Sequence, residues 1–226
     1  MSLSDFKSDS CKVYPVVDFI KGRDKLCPFD FTAANTELNP EIFGDTALFS
    51  GWVEKKLHVG NCLYGIGGYN EHRTIYSRSG HFNASGEPRR LHLGADIWGM
   101  EGTKVYNPLD AVVHSFKFND AFGDYGPTII LEHELAGQRF FSLYGHLSLD
   151  SLDGLYKGMF IPAGRQFATF GSSSVNGGWP PHLHFQLIFD MQGNEGDYPG
   201  VCRFSEREMY LLNCPDPGMI LRHTFE

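Results

Sequence analysis

The chain has little basic charge. Nineteen Lys and Arg stand against 27 Asp and Glu, a formal net charge of −8. A basic surface is the footprint of nucleic-acid and anionic-membrane binding, so neither partner is expected. Long hydrophobic runs are also missing: no stretch approaches the roughly 18 apolar residues of a membrane span. The opening Met1-Ser2-Leu3-Ser4-Asp5 and the residues after it lack both a basic n-region and an apolar h-region, so no secretory signal is visible. No C-x-x-C pair occurs, and the five cysteines (Cys11, Cys27, Cys62, Cys202, Cys214) are odd in number. That pattern predicts reduced thiols and, with no signal in view, a cytoplasmic rather than a secreted protein. Without secretion the Asn83-Ala84-Ser85 sequon is coincidental. There is no internal repeat and no low-complexity tract.

What is abundant is glycine, 26 of 226 residues, about one and a half times the usual share of roughly 7%. The glycines do not recur every third residue, which excludes collagen. They separate short apolar runs, as in turn-rich β proteins. Nineteen Phe and ten Tyr exclude disorder, and the length suits one large domain that folds without needing disulfides or metal.

Along the chain, Asn39-Pro40-Glu41-Ile42-Phe43 predicts a short helix with Asn39 as its cap. Residues 51–70 read as strand-like with glycine turns. From Leu91 onward the hydrophobic period is two. Residues 111–116 read as a strand, 128–133 and 139–144 as a hairpin about Ala136-Gly137-Gln138, and 159–170 as two short strands around Pro162-Ala163-Gly164. The last strand is 182–189. In the tail, Ser205 and Glu208 predict a capping box ahead of Met209-Tyr210-Leu211-Leu212. The fold class is all-β, with small helical additions at both ends.

Three segments carry chemistry. In a strand through His182-Leu183-His184-Phe185-Gln186, alternate residues share a face, so Leu183, Phe185, Leu187 and Phe189 enter the core. His182, His184 and Gln186 then point the other way. Two surface histidines would explain that as readily as a cleft. His92 and Asp96 would lie about 13 Å apart in a straight strand, too far to share an ion, so the segment must bend, and Gly94 permits it. On its own H-x-x-x-D is weak, and a lone His146 after Gly145 is commonly structural. Together they change the odds: two His and one carboxylate with an open position are the ligand set of a catalytic zinc site. Further histidines can then serve as general base and oxyanion stabiliser. His58, His72, His81, His114, His133 and His223 have no such context and read as surface or structural residues.

At these residues the sequence resembles the lysostaphin-type (LytM-like) zinc metallopeptidases. The resemblance rests on His92-Leu93-Gly94-Ala95-Asp96 with Gly102 to Pro108 after it, on Tyr144-Gly145-His146-Leu147-Ser148, and on Pro181-His182-Leu183-His184-Phe185. It implies an antiparallel β-sheet groove, the duplicated hybrid motif, over roughly residues 90–190. It implies Zn²⁺ held by His92, Asp96 and His184, with His146 and His182 as the catalytic pair, either of which could be the base. Gln186 departs from the family, which commonly has glutamate there. Residues 124–133, 176–187 and 212–217 are similar, more closely, to a peptidase-like domain found between kinase-like and class-III aminotransferase domains in long multidomain chains. That likeness implies an intracellular branch, so the peptide substrate would be an intracellular peptide or a peptidoglycan cross-link. The expected organisation is an extension over 1–75 packed on or near the groove, a metallopeptidase-like β domain over 76–200, and a helical tail over 201–226. The glycine-rich stretch 171–178 lacks the Gly-Lys-Ser/Thr of a phosphate loop and reads as a mobile lid or rim loop.

The expected function is zinc-dependent endopeptidase or amidase chemistry with a metal-activated water. The alternative is a non-catalytic metal-binding module of the same fold that recognises peptide or glycan. A non-haem iron oxygenase would share two His and a carboxylate, but those sites commonly use H-x-D and no H-x-H ending.

Overall fold

The computed structural model describes residues 12–83 and 86–226. The period-two runs become strands of one mixed, largely antiparallel sheet. β6 (Ala111–Asn119), β7 (Gly126–Leu135) and β8 (Gln138–Gly145) form a meander. The β7–β8 turn is two residues long, and both Ala136 (φ 52°) and Gly137 (φ 74°) take the left-handed conformation that such a hairpin requires. β11 (His182–Ile188) pairs with β8 on one side and with β4 (Ala95–Trp98) on the other. The short strands β9 (Phe160–Ile161) and β10 (Gln166–Thr169) flank Pro162-Ala163-Gly164 as expected, with β9 closing one edge beyond β6. At the other edge β2 (Tyr64–Gly67) lies against β4, and β1 (Leu26–Phe29) runs parallel to β2. The full order is β1-β2-β4-β11-β8-β7-β6-β9.

Two smaller ribbons complete the β structure. β5 (Lys104–Tyr106) pairs with β10, and β3 (Leu91–His92) with β12 (Val201–Cys202). Leu183, Phe185 and Leu187 enter the main core together with Ile97, Ile129, Leu131 and Tyr144, as the alternation of β11 demands. α4 (Gly218–Phe225) caps this core with Met219, Ile220 and Leu221, and Thr224 Oγ1 accepts the Val16 N–H at 2.9 Å.

Helix α1 (Pro40–Gly44) forms where expected, with Asn39 Oδ1 accepting the Ile42 N–H at 3.1 Å. Three other expectations are corrected. Of residues 51–70, read as strand-like, only Tyr64–Gly67 form a strand; residues 51–60 belong to helix α2 (Thr46–Gly60). Its buried residues Phe49, Trp52, Val53 and Leu57 fall at helical spacing, and Asp45 caps it by accepting the Ala47 and Leu48 N–H groups. Gly51, which suggested a turn, is exposed on the far side of that helix, where a missing side chain costs only propensity.

The cysteines are not all reduced: Cys27 and Cys62 form a disulfide. α2 ends with Asn61 in the left-handed conformation (φ 49°), which turns the chain back beside β1. Sequence spacing gave no hint of this pairing, because it arises from a helix that the periodicity concealed. Cys202 and Cys214 are free and buried, while Cys11 and the Ala84-Ser85 part of the sequon lie outside the described residues. The Ser205–Glu208 box also differs. The Ser205 N–H donates to Glu87 Oε1 (3.2 Å), and Glu206 Oε2 caps the Arg203 N–H (3.2 Å) ahead of α3 (Arg207–Asn213).

A second core joins this N-terminal part to the sheet. Phe31 and Phe49 pack on Trp98 at ring-centroid distances of 5.1 and 5.7 Å, and Phe49 on Trp179 at 6.4 Å. Trp98 and Trp179 thus hold two positions at once, in this core and in the wall of the cavity described next. Among the described residues no helix is long and apolar enough to cross a membrane.

Candidate active site

The pleat places His182, His184 and Gln186 on the face of β11 opposite the core. Cross-strand register sets His184 directly against Asp96 on β4, and His182 against Trp98. His92 arrives differently. β3 belongs to the small ribbon with β12, so the chain bends through Leu93-Gly94 before entering β4. Gly94 is required sterically: a Cβ there would lie 2.6 Å from His184 Cε1 and 2.8 Å from the Phe185 carbonyl oxygen. The bend brings His92, Asp96 and His184 together, all three buried.

Their facing atoms form a small triangle. His92 Nε2 lies 3.0 Å from His184 Nδ1 and 3.3 Å from Asp96 Oδ1, and His184 Nδ1 lies 3.1 Å from Asp96 Oδ1. Tetrahedral coordination with bonds of 2.0–2.1 Å separates ligand atoms by about 3.3 Å, so the triangle fits a zinc ion. The outer nitrogens assign the protons. His92 Nδ1–H donates to the Gly68 carbonyl and His184 Nε2–H to Gln186 Oε1, each at 2.9 Å. Bare lone pairs on His92 Nε2 and His184 Nδ1 therefore face a carboxylate oxygen, and a cation is what such a set of donors lacks. Burial and the nearby Arg73 charge push His92 down to about 4, so it is neutral at pH 7 and able to ligate. Burial works to raise the Asp96 carboxyl. Against this the positive charge of the Arg73 guanidinium favours the ionised form, and Asp96 stays well below the usual carboxylate range.

The remaining pair stands beside this triangle. His146 follows β8 with φ 61°, an uncommon conformation for a histidine, held by its N–H to the Tyr125 carbonyl at 2.7 Å. Its ring Nδ1–H donates to the Asn176 carbonyl, and that of His182 to the Pro180 carbonyl, each at 2.8 Å. The two rings are 4.1 Å apart between centroids, and His182 stacks on Trp98 at 3.9 Å. Burial pushes His146 well below its ordinary value and His182 down to about 4. Both are neutral at pH 7 with Nδ1 committed, which leaves each Nε2 to accept a proton.

These residues floor a cavity of about 230 Å³. Tyr76, Phe82, Trp98 and Trp179 line it, as do Tyr125 and the segment from Tyr198 to Gly200. The 171–178 stretch leads into Trp179, which lines the cavity. Gly177 has φ 85°, and a Cβ there would fall 1.9 Å from the Asp124 carbonyl oxygen. The Gly177 carbonyl accepts the Gly123 N–H (2.8 Å), and the Gly178 carbonyl accepts the Thr46 hydroxyl (2.9 Å).

Of the five residues singled out in the sequence, Asp96, His146, His182 and His184 thus line one cavity, and His92 stands behind them against Asp96 and His184. Sequence reasoning missed Arg73, Tyr125 and Asn176. Tyr125 and Asn176 lie in segments that carried the resemblance, but nothing marked them individually. Arg73 has no motif of its own. Of the histidines set aside, His133 is buried and structural, whereas His81 lines the cavity.

Residues 90–196 match the family model described as peptidase family M23. No curated protein matches the chain. Among solved structures, the catalytic domain of the antimicrobial peptidase lysostaphin from Staphylococcus simulans is 20% identical. That match covers 71% of this chain and 96% of that one, at a TM-score of 0.43. A zinc-containing peptidase from Vibrio cholerae is 26% identical over 43% of this chain and 27% of its own length, with a TM-score of 0.35. A mutant catalytic domain of the prophage-encoded M23 protein EnpA from Enterococcus faecalis is 19% identical, covering 49% of this chain and 78% of that one at 0.38.

Proposed function

We propose, from the premise that residues 90–196 are a domain of peptidase family M23, that the protein hydrolyses peptide bonds with a zinc ion held by His92, Asp96 and His184. The enzyme class, a metallopeptidase, comes with the family. The particular chemistry is argued from this chain's own residues. One observation carries it: three unprotonated donor atoms lie 3.0–3.3 Å apart, and two of the residues that bear them line one cavity with two neutral imidazoles. A zinc ion there would polarise the scissile carbonyl and lower the pKa of a bound water towards about 7.

The rest falls to side chains. The Asn176 and Pro180 carbonyls fix the tautomers of His146 and His182, so the two Nε2 atoms are the acceptors. One takes the proton of the attacking water and delivers that proton to the leaving amine; the other accepts a hydrogen bond from the same water and orients it. The aromatic walls, Trp98 and Trp179 above all, exclude solvent and strengthen these interactions. The substrate class is a peptide, whether an intracellular peptide or a peptidoglycan cross-link.

The test is zinc analysis together with cleavage profiling on a peptide library and on peptidoglycan. The wild type should hold one zinc per chain, and His92→Ala should lose it. His182→Ala should keep the metal and lose cleavage by at least about a hundredfold. Equal cleavage by the wild type and His182→Ala would sink this mechanism. Zinc and peptide binding without any cleavage would favour the recognition module.

A further inference from the structure

Arg73 is fully buried, yet it lies outside every motif the sequence offered. Its backbone N–H donates to the Arg90 carbonyl (2.8 Å), while the His92 N–H donates to the Glu71 carbonyl (2.9 Å). Residues 71–73 therefore lie along the start of β3, and the guanidinium reaches beneath the triangle. There Nη1 donates to Asp96 Oδ2 and, at 3.2 Å, to the Tyr76 hydroxyl. Nη2 donates to the Gly68 carbonyl at 3.2 Å, the same oxygen that takes the His92 Nδ1 proton. Nε pairs with Glu71 Oε2 at 2.6 Å, and the group lies over the Phe31 ring at 4.9 Å. One planar fork thus touches the carboxylate ligand itself and the carbonyl that orients a histidine ligand. Lysine could not make that set of contacts.

We propose that Arg73 is a positioning residue that confines Asp96 to ligation through Oδ1 alone and fixes the His92 ring through Gly68. This rests on the zinc reading above. The two oxygens of Asp96 have different partners: Oδ1 faces His92 Nε2 and His184 Nδ1, while Oδ2 faces the guanidinium. A carboxylate free of Arg73 can rotate and offer both oxygens to the ion, filling the position that water and substrate need. Glu71 balances the arginine's charge, so its role is directional rather than a simple addition of positive charge.

The test compares wild type, Arg73→Met and Arg73→Lys, by chelator competition for zinc and by visible absorption of the Co²⁺-substituted proteins. Wild type should give the strong absorption of a four-coordinate site. Arg73→Met should bind zinc roughly 10- to 100-fold more weakly, with the weaker cobalt absorption of five-coordination. Arg73→Lys, which retains a donor for Asp96 but not the fork, should fall between them. If Arg73→Met does not fold, Arg73→Lys decides: weaker zinc binding supports the proposal and wild-type affinity overturns it. A folded Arg73→Met with wild-type affinity and cobalt spectrum overturns the proposal and leaves the zinc site standing. A wild type that binds neither metal overturns both.

Discussion

His133 and His182 are both buried on strands of the same sheet, and burial pushes both down to about 4. Their surroundings differ in one respect. His133 has both nitrogens engaged, Nδ1 with the Asp110 carbonyl (3.2 Å) and Nε2 with the Ser142 hydroxyl (2.6 Å). Its ring stacks on Phe140 at 4.8 Å. His182 has Nδ1 on the Pro180 carbonyl, and among the described residues Nε2 has no hydrogen-bond partner while the ring lines the cavity. A depressed pKa alone therefore separates nothing. A buried histidine is structural when both nitrogens are committed, and able to move protons when one is held and the other faces a ligand.

The largest expected effect exploits that difference directly. His146→Ala or His182→Ala should cost about 10²–10⁴ in kcat/KM with one zinc retained. His133→Ala should leave kcat/KM near wild type. It should instead lose roughly 1–3 kcal/mol of stability, because the Asp110 carbonyl loses its bond to Nδ1 and the buried Ser142 hydroxyl keeps only the Tyr144 hydroxyl. Kinetics and chemical denaturation on the same three variants check both halves. A His133 variant with impaired cleavage and intact stability would erase the distinction.

The second effect joins the two regions. Phe49 is fully buried against Trp98 and Trp179, so Phe49→Ala should destabilise by about 3–5 kcal/mol. Cleavage should weaken in the folded fraction as the cavity wall loosens, while zinc content stays at wild type. Denaturant midpoints and metal analysis separate these outcomes.

Much of the site was legible because strand periodicity is local. His182 and His184 share a face of β11 wherever that strand goes, and Gly94 had to bend the chain if His92 and Asp96 were to meet. Their convergence on one point required register, which the family resemblance supplied and the β11–β4 pairing displays. What stayed hidden was set by distant packing. α2 hid behind Gly51 and Gly60. The Cys27–Cys62 bond needed that helix to end beside β1. Arg73 looked like any polar surface residue until the chain folded it under Asp96.

The third effect tests His133 by pH. Its folded value lies near 4 and its unfolded value near 6.5, so between these the unfolded chain holds a proton that the folded chain rejects. Stability is fully present above about pH 6.5 and is lost as pH falls towards 4, by up to roughly 3 kcal/mol. Glutamine keeps a hydrogen-bonding side chain without titrating, so His133→Gln should flatten that part of the curve. Urea denaturation from pH 4 to 8 measures the difference from wild type, and identical curves would remove His133 from the pH response.

The smallest effect tests how far the cavity depends on the N-terminal helix. Asp45 touches no site residue; it caps α2 through the Ala47 and Leu48 N–H groups at 2.8 and 2.9 Å. Asp45→Ala should therefore cost about 1 kcal/mol of stability. The next residue, Thr46, holds the Gly178 carbonyl in the 171–178 loop that also carries Asn176, the acceptor for His146. If fraying of the first turn reaches that loop, kcat will fall by more than the lost stability explains, with zinc content unchanged. Unchanged kcat would mean that the Gly123–Gly177 hydrogen bond and Trp179 packing hold the loop unaided. In that case α2 stabilises the domain as His133 does, by satisfied contacts remote from the chemistry.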